Sequence, residues 1–186
     1  MRIISGIFKN KKILQPKDFK TRPLKDLTKE SIFNIIIHSN KFEINFSNST
    51  ILDLFSGVGS FGLDCLSRGA KKVIFAENYK GVLPILKKNL LNLRPISNFE
   101  IIERNIYDEN FFKIFKKKFE IIFLDPPFKD GNINSLLLKI KDHNIINKNG
   151  ILILHRHKNN KDKFTKDISI IEEKKYGVSK IYFLKF

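Results

Sequence analysis

An acidic residue followed by two prolines and an aromatic residue, Asp125-Pro126-Pro127-Phe128, is the stretch of this sequence best suited to chemistry. Proline lacks an N–H and fixes φ, so a strand must end here and the Pro126 carbonyl cannot join a helix. A carboxylate and a carbonyl then face outward, ahead of a ring on which a base can stack. Two such acceptors can hold both N–H groups of an exocyclic amine and expose its lone pair to an electrophilic methyl group. We therefore predict that these four residues form the catalytic element.

A glycine-rich loop with the pattern G-x-G-x-x-G begins at Gly57, just after an apolar run that contains Asp53. Gly57 and Gly59 allow a tight turn close to a ligand, and Gly62 allows a helix to pack closely on a strand. Glu77 ends the next apolar run, where an acid can hold ribose hydroxyls. The pattern predicts an adenosine cofactor. The structural alternative for the glycine loop is a tight turn in which Asp53 only caps a helix. The corresponding alternative for Asp125-Pro126-Pro127 is a turn without function.

The choice of cofactor depends on Asp53. A nicotinamide dinucleotide would place its pyrophosphate over this turn, where a carboxylate repels it. S-adenosylmethionine would place a cationic amino-acid group there, which a carboxylate attracts. The sequence therefore predicts S-adenosylmethionine.

Apolar runs alternate with helical segments from residue 50 onward, which is typical of a parallel sheet buried on both faces. The predicted strands are 50–54, 72–76, 99–102, 119–124 and 150–154, and the predicted helices are 24–38, 60–69, 79–93, 108–117 and 132–141. Two last apolar runs, 168–172 and 179–186, predict an antiparallel hairpin at the sheet edge. We expect an α/β fold, a Rossmann-like sandwich whose ligands bind at the carboxyl ends of the strands.

Residues 1–23 are predicted to form a basic arm ahead of one domain, residues 24–186. Two short strands, Arg2 to Phe8 and Lys12 to Leu14, would make a β-hairpin. Flexible cations of such an arm can contact phosphates. The candidate substrate-binding residues are Arg2, Lys9, Lys11, Lys12 and Arg22. The alternative is a solvated hairpin with no role in binding.

The composition favours an anionic macromolecule as partner. Lys and Arg number 35 against 19 Asp and Glu, a formal net charge of +16. Nearly all of the cations are lysines, so any one lysine run fits a solvated face equally well. A single cysteine, Cys65, excludes an internal disulfide and favours the cytoplasm. We expect no membrane span, because no apolar run approaches about 20 residues, and no metal, because His155 and His157 have no acidic or Cys neighbour in sequence.

The segments ILDLFSGVGSFGLDCLSRGAKKVIFAEN and FEIIFLDPPF resemble class I S-adenosylmethionine-dependent methyltransferases that act on amino groups. With MRIISGIFKNKKIL, Thr21-Arg22-Pro23 and Lys175-Tyr176-Gly177, the whole chain is similar to one family, the RsmD-type 16S ribosomal RNA (guanine-N2) methyltransferases. The resemblance implies methyl transfer to N2 of one guanine, guanine 966, in 16S rRNA. The implied partner is 16S rRNA or the small ribosomal subunit, including an assembly intermediate.

The resemblance also implies a cofactor site. Asp53, Gly57 and Gly59 would line the methionine end, Glu77 would hold the ribose, and Asn105 would accept the adenine amino group through its amide oxygen. The full predicted set is Asp53, Phe55, Gly57, Gly59, Glu77, Asn78, Asn105 and Ile106. Other functions stay open at this point: methylation of DNA adenine-N6 or protein glutamine-N5, or RNA binding without catalysis.

Overall fold

The structure, a computed structural model, describes residues 1–17 and 24–186. Its strands are β1 Thr50–Leu54, β2 Lys72–Ala76, β3 Phe99–Ile102, β4 Phe119–Leu124, β5 Ile146–His157, β6 Ser169–Tyr176 and β7 Ser179–Lys185. Its α-helices are α1 Asp26–His38, α2 Ser60–Ser67, α3 Leu83–Leu91 and α4 Ile133–Asp142. The strands form one sheet in the order β3-β2-β1-β4-β5-β7-β6.

Strands β1 to β5 pair in parallel, whereas β7 pairs antiparallel with both β5 and β6. The central strands are apolar on both faces, as a parallel sheet covered by helices requires. This arrangement confirms the Rossmann-like sandwich with an antiparallel carboxyl-terminal edge. It also places the ends of β1, β2, β4 and β5 along one edge of the sheet, where ligands bind in this architecture.

The two faces of the sheet carry separate hydrophobic cores. On one face, α1 and α2 pack over the sheet through stacked rings of Phe33, Phe61 and Phe123, whose neighbouring centroids lie 5.2 and 4.1 Å apart, and α3 packs beside them through its leucines. On the other face, α4 buries Leu136, Leu137 and Ile140 against the sheet. Both faces of the central strands are thereby covered.

The helix predicted for 108–117 is wrong. The segment contains only a 3-10 helix, Phe112–Ile114. Phe111 and Phe112 are both buried and their rings meet edge to face, 5.0 Å apart. The preceding turn is closed by bonds from Asp108 N–H to the Asn105 carbonyl and from Phe111 N–H to the Asp108 carbonyl. Asn and Asp favour such turns over helices, so local turn chemistry overrides the helical spacing of the rings.

The prediction of two amino-terminal strands, Arg2 to Phe8 and Lys12 to Leu14, is also wrong. Arg2 and Lys12 form a single isolated antiparallel bridge, and residues 5–10 form bends and turns. The segment is pinned to the sandwich, because the Asp64 carboxylate on α2 accepts the N–H groups of Ile4 and Ser5. The division at residue 23 stays a prediction, since residues 18–23, with Arg22, lie outside the described residues.

A buried ion pair completes this attachment. The Lys29 ammonium of α1 lies 2.7 Å from Asp64 Oδ2, and both side chains are fully buried. Lys29 also donates to the Arg2 carbonyl, at 2.7 Å, and to Ser60 Oγ. Burial raises the pKa of Asp64, and the adjacent Lys29 charge opposes that rise. The first residues of the chain are therefore bonded to a buried charge pair. Their displacement would remove hydrogen-bond partners from both buried charges.

Candidate active site

A cavity of about 570 Å³ opens at the carboxyl ends of β1, β2 and β4. It brings together almost all of the predicted cofactor and catalytic residues, namely Asp53, Phe55, Gly57, Glu77, Asn78, Asn105, Ile106, Asp125, Pro126, Pro127 and Phe128. Gly59 lies outside the lining, at the start of α2, with a φ of +84°. The roles of these residues stay predictions, but their convergence on one cavity is a structural fact.

The lining of this cavity is acidic although the chain is strongly basic. Four carboxyl groups reach it, those of Asp53, Glu77, Asp125 and Asp130, and within the described residues no Lys or Arg does. Burial raises the pKa of Asp53 well above its ordinary value, and the charges of Asp125 and Glu77 raise it further. Repulsion among these groups would be relieved by a cation, so the cavity suits a positively charged ligand.

Asp53 both caps α2 and lines the cavity, so its predicted cofactor role stays a prediction compatible with the cap. Its side chain is buried, lines the cavity and accepts the Gly62 N–H at 3.0 Å in the first turn of α2. A Cβ at Gly62 would come within 2.2 Å of the Phe75 ring, which accounts for the close packing predicted there. A Cβ at Gly57 would meet no described atom within 4 Å, so backbone at that glycine is open to a ligand.

Glu77 is hydrogen-bonded to the backbone of the loop after β1 and of the loop after β2. One carboxylate oxygen accepts the Gly57 N–H at 2.8 Å, and the other accepts the N–H groups of Asn78 and Tyr79, each at 2.8 Å. A carboxylate has about four lone-pair sites, so capacity remains for a ribose hydroxyl. Glu77 therefore fixes the loop after β1 to the loop after β2 in addition to its predicted role.

The wall after β3 is formed by Asn105 and Tyr107. Asn105 Oδ1 accepts the Tyr107 N–H at 3.0 Å, so the amide oxygen predicted to meet the adenine is already engaged once. The Tyr107 hydroxyl donates to Asp130 Oδ2 at 2.5 Å, and burial together with this bond raises the pKa of Tyr107. Phe55, whose φ of +59° is unusual for a residue other than glycine, faces the Tyr107 ring at 6.1 Å.

The Asp125 carboxylate is oriented by residues that sequence reasoning did not assign to the site. His155 Nδ1 lies 2.8 Å from Asp125 Oδ1, and His155 Nε2 lies 2.8 Å from Ser179 Oγ. His155 is almost fully buried, at 2% exposure. A neutral imidazole with its proton on Nδ1 satisfies both contacts, because it donates to Asp125 and accepts the Ser179 hydroxyl.

The backbone that follows Asp125 is held from behind by Arg156. The Pro127 carbonyl accepts from Arg156 Nη1 at 3.3 Å, and the Asp130 carbonyl accepts from Nη2 at 2.8 Å. Within residues 1–17 and 24–186, the Pro126 carbonyl accepts no hydrogen bond. Pro126 lines the cavity beside Asp125, and its carbonyl stays the predicted second acceptor of an amine.

The ring of Phe128 forms the far wall of the cavity. It meets the rings of His155 and His157 edge to face, with centroids 5.5 and 5.0 Å away. Its carbonyl accepts Asn160 Nδ2 at 3.0 Å. The two imidazoles therefore pack against a ring that borders the cavity, where the sequence predicts stacking on a base.

Two of the predicted substrate-binding cations, Lys9 and Lys11, lie away from this cavity. The Ile7 N–H bonds to the Ser67 carbonyl at the end of α2, and the Lys11 ammonium donates to the Asn92 carbonyl just after α3. Because both helices run antiparallel to the strands, their last turns lie at the opposite edge of the sheet. Arg2 donates to Asn10 at 3.2 Å and pairs with Asp26 at 3.9 Å. Lys9 and Lys12 are exposed in the same segment.

Two further observations bear on the site and its setting. Across the described ranges, His, Cys, Asp and Glu side chains form no group of three or more that could hold a metal ion. No helix in those ranges has the length and apolar character of a membrane span.

Comparison with known proteins gives consistent results. The profile of a family described as "Conserved hypothetical protein 95" matches residues 1–185. The Haemophilus influenzae protein "Ribosomal RNA small subunit methyltransferase D" is 31% identical over 181 residues, which cover 96% of this chain and 90% of that protein.

Solved structures agree with the sequence comparisons. The crystal structure of HI0767 from Haemophilus influenzae, 30% identical, superposes with a TM-score of 0.75 over 98% of this chain and 96% of that chain. SMU.776 complexed with SAH, 15% identical, shares the fold with a TM-score of 0.64 over 86% of this chain and 50% of that one.

Proposed function

The chain belongs to the family described as Conserved hypothetical protein 95, and from that premise we propose that it transfers a methyl group from S-adenosylmethionine to the exocyclic N2 of a guanine in 16S rRNA. It is an rRNA methyltransferase, like the relative named for the small ribosomal subunit RNA. The choice of guanine as the base and of N2 as its acceptor atom is part of the proposal.

One observation supports the proposal above the others. In a chain with a net charge of +16, the main cavity is lined by four carboxyl groups and ends at an Asp-Pro-Pro-Phe loop. An acidic cavity attracts a cationic sulfonium and a cationic amino group, whereas it repels the pyrophosphate of a dinucleotide. The loop supplies two acceptors and a ring, which are the groups needed to hold the amino group of a base.

The described residues fit S-adenosylmethionine. Asp53 would meet the amino-acid end, the open backbone at Gly57 would allow close approach, and Glu77 would hold the ribose through its remaining lone pairs. Nonpolar wall residues such as Ile106 lie beside Asn105, where the adenine would bind. When bound, this cofactor supplies an electrophilic methyl group to the cavity.

The protein's part in the chemistry is to prepare the nucleophile. The Asp125 carboxylate and the Pro126 carbonyl accept the two N–H groups of the amine, which favours a pyramidal nitrogen whose lone pair points into the cavity. S-adenosylmethionine held by Asp53, Gly57 and Glu77 would supply the methyl group to this nitrogen, and its sulfur would keep the electron pair of the bond that breaks. The nitrogen then releases one proton, for which the Asp125 carboxylate is the adjacent acceptor.

His155 is a positioning residue in this scheme. By hydrogen bonding to one oxygen of Asp125, it fixes the plane of the carboxylate that would accept the amine. Ser179 fixes the imidazole in turn. Phe128 holds the base by stacking, at a contribution of about 1 to 3 kcal/mol per base.

The partner in this proposal is 16S rRNA, either free or within the small subunit or one of its assembly intermediates. An enzyme that acts on this RNA works where ribosomes are built, so we place it in the cytoplasm.

Incubation with methyl-labelled cofactor tests the proposal directly. Protein-free 16S rRNA and small subunits are supplied separately, the RNA is digested to nucleosides, and the label is located by mass spectrometry. We expect N2-methylguanosine, and primer extension then gives the position of the modified guanine. Label in N6-methyladenosine, or in a protein glutamine, would contradict the proposed acceptor.

A further inference from the structure

A second concavity, of about 410 Å³, adjoins the acidic cavity and shares Phe128 and Asp130 with it. It lies between the loop after β4 and the loop after β5. Three lysines line it, Lys129, Lys161 and Lys163, and all three are exposed. We call it the basic groove.

The acids of the basic groove are already engaged. Asp162 pairs with Arg156 at 3.0 Å, and both side chains are largely buried. Asp130 accepts the Tyr107 hydroxyl through one oxygen and the Asn132 N–H through the other. In the part of the chain that the structure describes, none of the three lysines pairs with a carboxylate. The groove therefore presents uncompensated positive charge to an incoming ligand.

The walls of the groove are fixed by hydrogen bonds. Arg156 binds the carbonyls of Pro127 and Asp130, and Asn160 binds the carbonyl of Phe128. Lys180 donates in turn to the Asn160 carbonyl, at 2.5 Å. The two loops are thus tied to each other and to β7, so the lysine backbones are held in place next to the Phe128 ring.

The opposite charges of the two concavities suit different parts of a nucleotide, the base and the phosphates. The acidic cavity repels phosphates, so a base can enter it while its phosphodiester stays outside. The adjacent surface that attracts phosphates is the basic groove, which begins at the ring on which the base would stack. Lys9 and Lys11, by contrast, lie in a segment bonded to the last turns of α2 and α3, at the opposite edge of the sheet.

We propose that the basic groove binds the phosphodiester backbone flanking the target nucleotide, through Lys129, Lys161 and Lys163. This inference rests on the proposed rRNA methyltransferase function and identifies the lysines that carry RNA affinity. Contacts of this kind provide affinity without reading sequence, and they weaken as salt concentration rises.

The test compares two double variants with the same change in charge. Lys161→Ala with Lys163→Ala removes two cations of the groove. Lys116→Ala with Lys117→Ala removes two exposed cations just before β4, at the opposite edge of the sheet. Filter binding of 16S rRNA at several salt concentrations gives the affinity and its salt slope, and steady-state assays give KM and kcat.

The groove variant should bind rRNA about tenfold more weakly, and its log–log salt slope should fall by roughly 1.5, the value for two lost phosphate contacts. Its affinity for S-adenosylmethionine, and kcat at saturating RNA, should stay within about threefold of wild type. Lys161→Arg with Lys163→Arg should restore binding, because charge and not shape is required. The edge variant should match wild type.

An unchanged salt slope in the groove variant, or an equal fall in both variants, would overturn the inference. Binding is measured without turnover, so this result does not depend on which base is methylated. Wild-type enzyme that leaves guanine N2 unmethylated would instead contradict the proposed function. Lys9→Ala with Lys12→Ala, measured alongside, tests the amino-terminal segment as the alternative site of RNA affinity.

Discussion

The acidic cavity and the basic groove share Phe128 and Asp130, yet their linings carry opposite charge. In the cavity, carboxyl groups of Asp53, Glu77 and Asp125 converge from three strands. In the groove, Arg156 pairs with Asp162, Asp130 accepts hydrogen bonds, and three lysines outnumber the acids. The loop after β4, with Phe128 and Asp130, is thus the boundary between a cavity suited to a cation and a groove suited to phosphates.

This difference shows that the net charge of the chain indicates the kind of macromolecule it binds but not the charge of its cofactor site. The +16 of the chain indicates a polyanion, but the residues that would bind the cofactor are acidic. The loop between the two regions keeps its shape because side chains at the end of β5 hold it from behind. The following substitutions test whether the boundary works as described.

Removal of the residue that supports the boundary should have the largest effect. Arg156→Ala leaves the largely buried Asp162 carboxylate unpaired and removes the donor to the Asp130 carbonyl, while the Pro127 carbonyl keeps the Asp130 N–H. Loss of one partner of a buried ion pair costs about 3 to 5 kcal/mol, which lowers Tm by roughly 6 to 20 °C in a chain of this size. Thermal unfolding measures this fall in Tm. Arg94→Ala, at an exposed site, should change stability by less than about 0.5 kcal/mol, and equal losses in both would refute the role of Arg156.

Loss of the donor to Asp125 should come next. His155→Phe keeps a ring against Phe128 but removes the hydrogen bond to Asp125. We expect kcat to fall about tenfold to a hundredfold, equivalent to roughly 1.4 to 2.7 kcal/mol, with cofactor affinity nearly unchanged. His155→Asn, whose amide nitrogen can take the place of Nδ1, should recover part of the loss.

His157→Phe is the matched comparison for this prediction. His157 also contacts the Phe128 ring, but its Nδ1 accepts the Asn159 N–H. If both phenylalanine variants lose the same activity, the ring contacts matter and the bond to Asp125 does not. Isotope-edited NMR of the imidazole adds a readout independent of turnover, and we expect a proton on His155 Nδ1, which donates to Asp125.

The acidic side of the boundary is tested by Asp53→Asn. The amide keeps an acceptor for the Gly62 N–H but removes the buried charge. Calorimetry should show S-adenosylmethionine binding weakened about tenfold, roughly 1.4 kcal/mol, while the folded state gains about 0.5 to 2 kcal/mol. A dissociation constant within about twofold of wild type would mean that Asp53 only caps α2.

The smallest effect is a pH dependence of cofactor binding. Burial, with the charges of Asp125 and Glu77, raises the pKa of Asp53, so protonation begins at higher pH than for an ordinary aspartate. For folding, a raised carboxyl pKa gives stability that is present at low pH and is lost as pH rises through that pKa. Cofactor affinity has the opposite sign and should fall as pH falls. Titration calorimetry between about pH 8 and pH 5 should show this for wild type and a flatter profile for Asp53→Asn.

Most of the acidic cavity could be predicted from the sequence because it is built from strand ends. Continuous apolar runs mark β1, β2 and β4, and parallel strands bring their last residues to one edge. Asp53, Glu77 and Asp125 each follow or end such a run, so their convergence needs no knowledge of side-chain packing. The left-handed turn at Gly57 is likewise local.

The support of the boundary could not be predicted, because it depends on register. Leu124 pairs with Leu154, which places Asp125 beside His155, although a shift between Phe119 and Ile121 interrupts the pairing of β4 with β5. Nothing in sequence locates such a shift. Strand β5 also continues to His157, beyond the predicted end at residue 154.

The basic groove escaped prediction for a different reason. Lys161 and Lys163 are two of 35 basic residues, and exposed lysines have no pattern that distinguishes an RNA contact from a solvated face. They stand out only in the structure, where the loop after β5 folds back beside Phe128 and places both lysines next to the acidic cavity.

The most direct test of the account measures one variant in two ways. Asp125→Ala should lower single-turnover methylation of rRNA by at least about a hundredfold, roughly 2.7 kcal/mol, because its carboxylate acts on the nitrogen in the transition state. Calorimetry on the same preparation should give S-adenosylmethionine affinity within about threefold of wild type. Asp142→Ala, at an exposed carboxylate on α4, is the control. Turnover that falls by less than about tenfold would contradict the account, because Asp125 would then not be the acceptor that activates the amine.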